Sequence, residues 1–237
     1  MATSYSPKII TDGLVFCVDA ADKKSYSGSG TTWTDRSGNG YNGTLTNGPT
    51  FDSANGGSID FDGVDDHVTT NFDVDFTQDD FTLDAWVNPN FVLATYGRPI
   101  MTMNTTGGCS IYDFALEFGR ANGKFGLIAG GGGNGNPSFT SSSTYSQDNW
   151  YNINVTRIKN SANNWTYDMY VNGISNQTWT GNASGGSGGK LTIGKFSDCG
   201  AVGEWLGKIA AIKIYTKRLS AAEALQNYNA TKGRFGL

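Results

Sequence analysis

Four aspartates, Asp60, Asp62, Asp65 and Asp66, crowd into seven consecutive positions, and Gly63 among them permits a turn. Carboxylates at that density suit a hard cation such as Ca2+, which takes several oxygens from carboxylates and backbone carbonyls. Asp35 and Asn39 occupy an earlier polar stretch that could converge on the same place. The same aspartates also suit a conformational role, because Asp ahead of Gly forms hydrogen-bonded Asx turns. Both readings stay open. The spacing is not that of an EF-hand, since Asp60-Phe61-Asp62-Gly63 lacks the downstream bidentate Glu.

Other chemistry is sparse. The single histidine, His67, has no Ser or Cys nucleophile motif beside it and reads as a rim residue opening a strand. Glycoside hydrolysis needs two carboxylates close together with separated pKa values. The nearest approximations are Asp73-Val74-Asp75 and Asp113 with Glu117. Sugar binding would use exposed aromatic rings flanked by Asn, Asp or Gln. Trp33, Trp179 and Trp205 lie near turns, and Tyr96 and Tyr112 flank loops, so Trp33, Trp205 and Tyr112 are the ligand candidates, with core packing as the alternative.

These residues must be positioned by strands. Phe81 to Asn88 alternates strictly: Phe81, Leu83, Ala85 and Val87 share one face, and Thr82, Asp84, Trp86 and Asn88 share the other. That pattern predicts a half-buried strand, ended by Pro89, which lacks a ladder N–H. Trp165, Tyr167, Met169 and Val171 share a second face, and Asn172-Gly173 then supplies a type I′ turn into Ile174–Trp179. A preceding strand from Trp150 to Ile158 and a polar turn from Lys159 to Asn164 complete a meander. Gly130–Pro137 and Gly181–Gly189 read as loops; the first lacks the Gly-Lys-Ser/Thr ending of a phosphate-binding loop. One helix is predicted, opened by the capping box Ser220-Ala221-Ala222-Glu223. Thr231–Leu237 would follow as a tail that contacts a neighbouring subunit.

Composition bounds the class. The 237 residues include 33 glycines and 5 prolines, with 38% hydrophobic and 13% aromatic side chains, enough for one large core with many turns. A net charge of −4 without a basic cluster argues against nucleic acid. No run approaches the roughly 18 apolar residues of a membrane span, and the first residues carry neither the basic nor the apolar region of a signal peptide. Of three cysteines, Cys17 sits in an apolar run and is expected to be a buried thiol, whereas Cys109 and Cys199 lie in glycine-flanked loops where pairing stays open.

Taken in order, Leu14–Ala20, Trp33–Leu45, Ser58–Val68, Phe81–Pro89, Tyr170–Gly173 and Leu206–Tyr215 running into Leu219-Ser220 resemble the laminin-G-like family of concanavalin-A-like jelly rolls, over roughly residues 13 to 230. The resemblance implies an all-β, two-sheet antiparallel jelly-roll sandwich with one short C-terminal helix, an arm at residues 1–12 and a tail at 231–237. It implies ligands on a concave sheet or at one rim, where the family often holds calcium, so Asp35, Asp60, Asp62, Asp65 and Asp66 become the metal candidates. Glycosidases of this fold carry alternating Glu-x-Asp-x-Glu, which this chain lacks, so a non-enzyme is expected. Similar domains occur in structural proteins of tailed bacteriophages. With no export signal, the expectation is a virion protein (head decoration, neck or tail) that contacts other virion proteins and copies of itself. The alternative is a calcium-dependent glycan-adhesion module.

Overall fold

Alternating apolar residues punctuated by Gly, Asn and Asp turns commit this chain to successive strands. The computed structural model describes residues 7–76, 79–91, 97–104, 112–119, 123–129, 139–182, 189–196 and 203–237. In chain order the strands are β1 (Leu14–Asp19), β2 (Thr32–Trp33), β3 (Gly43–Thr46), β4 (Thr50–Asp52), β5 (Ser58–Asp62), β6 (His67–Thr70), β7 (Phe81–Pro89) and β8 (Arg98–Asn104). They continue with β9 (Tyr112–Phe118), β10 (Phe125–Ala129), β11 (Phe139–Thr140), β12 (Tyr151–Ser161), β13 (Asn164–Val171), β14 (Ile174–Gly181), β15 (Lys190–Ile193) and β16 (Leu206–Tyr215). Helix α1 spans Ala221–Thr231.

Two antiparallel sheets result. The first runs β14-β13-β12-β7-β16-β5-β4, with β1 paired to the far half of β16; the second runs β11-β10-β9-β8-β15-β6-β3-β2. This is the expected concanavalin-A-like sandwich. Its core is the two inner faces: Phe81, Leu83, Ala85 and Val87 of β7 and Trp165, Tyr167 and Met169 of β13 meet Met101, Met103, Phe114, Leu116, Leu191 and Ile193.

Local predictions hold where local chemistry decides them. Asn172 (φ 53°) and Gly173 (φ 73°) form the left-handed pair of the tight turn. The Ser220 hydroxyl accepts from the Glu223 amide (3.3 Å), and the Glu223 carboxylate accepts from the Ser220 amide (2.8 Å). Elsewhere packing overrides pattern. The β12–β13 hairpin turns later than expected, because Lys159 pairs with Trp165 and the strand runs on to Ser161. Strand β7 is buried on both faces, not one, since α1 and the following 3-10 turn, Lys232–Phe235, lie over its polar side. Residues 231–237 fold onto their own sheet, with Phe235 stacked on Trp86 at 4.2 Å. At the other end, the Ile10 amide donates to Asn227 and its carbonyl accepts from Tyr215, which ties the first described residues to α1.

Cys17 is a free, buried cysteine, as expected; Cys109 and Cys199 lie outside the described residues. Burial pushes the Cys17 thiol from its ordinary value of 9.0 up to about 11, against the lowering pull of Lys213. The unfolded chain ionises first, so the stability is full below pH 9 and is lost as pH rises towards about 11. Urea midpoints are expected to fall across that interval by the equivalent of about 2–3 kcal/mol, and the fall should be shallower in Cys17→Ala.

Candidate functional site

The acidic turn is where the chain crosses between sheets: β5 ends at Asp62 in one sheet and β6 begins at His67 in the other. The crossing is tight. The Asp62 carboxylate accepts from the Val64 amide (2.8 Å), and the Asp62 amide donates to the Asp66 carboxylate (3.0 Å). His67 Nδ1–H and Asn47 Nδ2 both donate to the Asp65 carbonyl, at 2.8 and 3.2 Å. Gly63 has φ +76°, and a Cβ there would come within 2.6 Å of Arg98 Nη1 and 2.8 Å of Leu206. Arg98 in turn donates to the Glu204 carbonyl (2.7 Å) and lies 5.0 Å from the Phe91 ring centroid.

This geometry gathers the carboxylates of Asp62, Asp65 and Asp66, one oxygen of each lying within 4.8 Å of the others. Asp62 and Asp65 are exposed and Asp66 is buried. Among the described residues no Lys or Arg forms an ion pair with any of the three. Burial pushes the Asp66 carboxyl above its ordinary range; the hydrogen bond from the Asp62 amide and, more weakly, His67 oppose this, while the Asp62 and Asp65 charges add to it. Glu204, nearby, is also pushed up by burial, against Lys195, His67 and Arg98.

Two of the five metal candidates stay outside the cluster. The Asp35 carboxylate serves a turn: it accepts from the amides of Cys17, Ser37 and Tyr41 and from the Ser37 hydroxyl, at 2.7 to 3.1 Å. Asp60 faces Lys208, its partner across the β5–β16 ladder, and its carboxyl is raised by burial against the pull of Lys208. The aromatic candidates also separate. Trp33 and Trp205 are both 0% exposed and pack in the core, so neither offers a ring face to a ligand. Strand alternation explains Trp33, and Phe91, in edge contact at 5.5 Å, helps cover Trp205. Tyr112 opens β9, but its side chain lies outside the described residues, as do that of Asp113 and the whole of Tyr96. Glu117 is buried in β9 beside Gly97, and Asp73 and Asp75 lie ahead of β7. Sequence reasoning missed Arg98, Glu204 and Asn47 at the acidic turn, since nothing local marks residues so far apart as neighbours.

Comparison with known proteins agrees with this architecture. No curated protein sequence matches the chain. Among solved structures, the Trypanosoma rangeli sialidase in complex with sialic acid superposes with a TM-score of 0.68 at 16% identity, covering 98% of this chain but 36% of the sialidase. The botulinum neurotoxin type G receptor binding domain gives 0.65 at 15% identity, with coverages of 92% and 51%. The binding domain of Paraclostridial Mosquitocidal Protein 1 gives 0.67 at 15%, with coverages of 93% and 52%. The chain thus spans about a third of the sialidase and about half of the two binding-domain chains. At these identities the likeness is one of fold. The model of the concanavalin A-like lectin/glucanases superfamily matches residues 62–224, and the chain belongs to that superfamily.

Proposed function

We propose that this chain is a non-catalytic glycan-binding module whose acidic turn is held by calcium. The observation that carries the reading is the convergence of Asp62, Asp65 and Asp66 at the sheet-to-sheet crossing, where no Lys or Arg among the described residues pairs with them. Like charges at that spacing repel, and a hard divalent cation removes the repulsion with the oxygen ligands it prefers. Asp62, Asp65 and Asp66 would hold the ion, which would fix the rim loops that meet a ligand. The solved structures named above support the glycan part of the reading, one being a sialidase bound to sialic acid.

Calcium at a hundredfold its Kd stabilises a single-site protein by about 2.7 kcal/mol, which for this size is a rise of about 5–10 °C in Tm. Thermal melts in calcium and in EDTA are expected to differ by that amount. The Asp62→Asn/Asp65→Asn variant should lose the response and melt no lower than the parent in EDTA, because the repulsion is gone. A parent chain indifferent to calcium overturns the metal part. A glycan array read with and without EDTA tests the binding part.

The virion role expected from the sequence is a second reading of where such a module sits: on a phage particle, contacting other virion proteins and copies of itself. Mass spectrometry of purified particles tests it.

A further inference from the structure

The rim that carries the acidic turn also holds a cleft of about 420 Å3 at the start of β12, in the size range of small-ligand sites. Ladder registers place it: Asp62 pairs with Leu206, Gly207 with Pro89, Val87 with Tyr151, and Ile153 with Val171. The cleft therefore lies about three strand spacings, roughly 14 Å, along the rim from the acidic turn. Trp150 is the aromatic ring it presents, because the Tyr151 ring turns into the core against Phe125 and Tyr145 and Phe235 is held between Trp86 and Trp150; Ser146, Asp148, Asn149 and Asn172 supply polar groups around it.

We infer that this cleft binds a neutral or amino sugar of a larger glycan, without metal and with selection against anionic sugars. The inference rests on the glycan-module reading and deepens it by naming a site and a sugar class.

A pyranose has C–H faces that bury well against aromatic carbon and hydroxyls that both donate and accept. The cleft offers both complements in fixed positions. Trp150 packs on Phe235 at 4.5 Å, and Phe235 stacks on Trp86, whose indole N–H donates to Thr231 (2.8 Å). The Trp150 ring is thus held before any ligand arrives, which lowers the ordering cost of binding. The polar groups are equally constrained. Asn149 Nδ2 donates to Ser146 Oγ and the Gln147 carbonyl, at 3.1 and 3.0 Å, which leaves Oδ1 as an acceptor. Asn172 Oδ1 accepts from the Asn152 amide (2.9 Å), which leaves Nδ2 as a donor. Asp148 sits at φ +61°, an uncommon conformation for a residue with a side chain, held by its amide donating to the Pro89 carbonyl (2.7 Å). One of its carboxylate oxygens accepts from Gln147 (3.0 Å), and the other remains for a ligand.

Charge sets the selectivity. Among the described residues Asp148 is the only charged side chain lining the cleft, and no Lys or Arg does. A carboxylate or sulfate on a sugar would meet Asp148 with no cation to offset it, whereas a hydroxyl or an ammonium would be accepted.

The test is saturation-transfer NMR on the full chain with neutral glucan, mannan and galactan oligosaccharides, a glucosamine oligomer and a sialylated trisaccharide, in EDTA. At least one neutral or amino oligosaccharide should bind, the sialylated one should bind at least tenfold more weakly, and Asp148→Ala and Asn149→Ala should each weaken binding about tenfold. Both side chains are exposed, so both variants are expected to fold; Asp148→Ala should melt slightly lower than the parent, because alanine tolerates the +61° φ less well than aspartate. A glycan that binds with undiminished affinity in both variants, or a preference for the sialylated sugar, overturns the cleft and leaves the module reading standing. No binding by any glycan, with calcium or without, overturns both.

Discussion

Asp84→Ala is expected to cost the fold about 3–5 kcal/mol, the range for breaking a buried ion pair from one side. Asp84 and Lys213 are buried on the outer face of the first sheet, beneath α1, with 3.3 Å between them. Burial alone would pull Lys213 down, but the Asp84 carboxylate, with lesser help from Cys17 and Asp19, holds its ammonium above the ordinary range. The rest of the Asp84 carboxylate is saturated: Asn152 Nδ2 donates to one oxygen (3.0 Å) and Asn227 Nδ2 to the other (3.1 Å). Alanine at 84 would strand a buried cation and two amide donors. Urea denaturation measures the loss. Pairing Asp84→Leu with Lys213→Met should recover most of it, since apolar residues of similar volume often replace a buried pair at little cost. A single-variant loss under about 1 kcal/mol would show the pair to be solvated, as surface pairs are. Because the folded-state pKa of Lys213 is raised, its contribution is complete below the ordinary lysine range and is lost only as pH rises above it.

The second large effect is expected at Trp86. Truncating a fully buried Trp to alanine costs about 3–5 kcal/mol, and here the loss reaches beyond one side chain. Trp86 is sandwiched between Tyr228 and Phe235, with centroids at 5.7 and 4.2 Å, and its indole N–H anchors Thr231 at the end of α1. Trp86→Ala should therefore loosen residues 231–237 as well as lower the urea midpoint. Limited proteolysis is expected to cut the C-terminal segment much faster in the variant. Phe235→Ala, which leaves the Trp86–Tyr228 contact intact, should release the tail at a smaller cost in stability. If Trp86→Ala leaves the cleavage rate unchanged, the tail is held by other contacts.

Both residues stand on the face of β7 that the sequence marks as polar. Alternation assigned Thr82, Asp84 and Trp86 to one side correctly, because the pleat sends successive side chains to opposite faces. It could not say that the side would be covered. Covering depends on α1 and Phe235, which follow more than a hundred residues later and pack back on the sheet. The same holds at the rim. The run from Asp60 to Asp66 is visibly acidic, yet which three carboxylates meet depends on β5 and β6 joining different sheets, and on Lys208 facing Asp60. The cleft was the least legible. Ser146–Tyr151 shows a polar turn entering two aromatics, but its partners Asn172 and Phe235 come from other parts of the chain.

By itself, then, the sequence determined whatever is settled within a few residues: the alternating strand from Phe81, the meander from Trp150 to Trp179, the Asn172-Gly173 turn, the Ser220 capping box and the family order of motifs. These depend on pleat geometry, φ preferences and nearest-neighbour hydrogen bonds. Tertiary structure alone decided that Trp33 and Trp205 are core residues, that Asp35 serves a turn, that Asp62, Asp65 and Asp66 converge without Asp60, and that a charged pair survives under the helix. Each of these turns on burial and on distances between residues remote in the chain, and a side chain's type does not specify what will be packed over it.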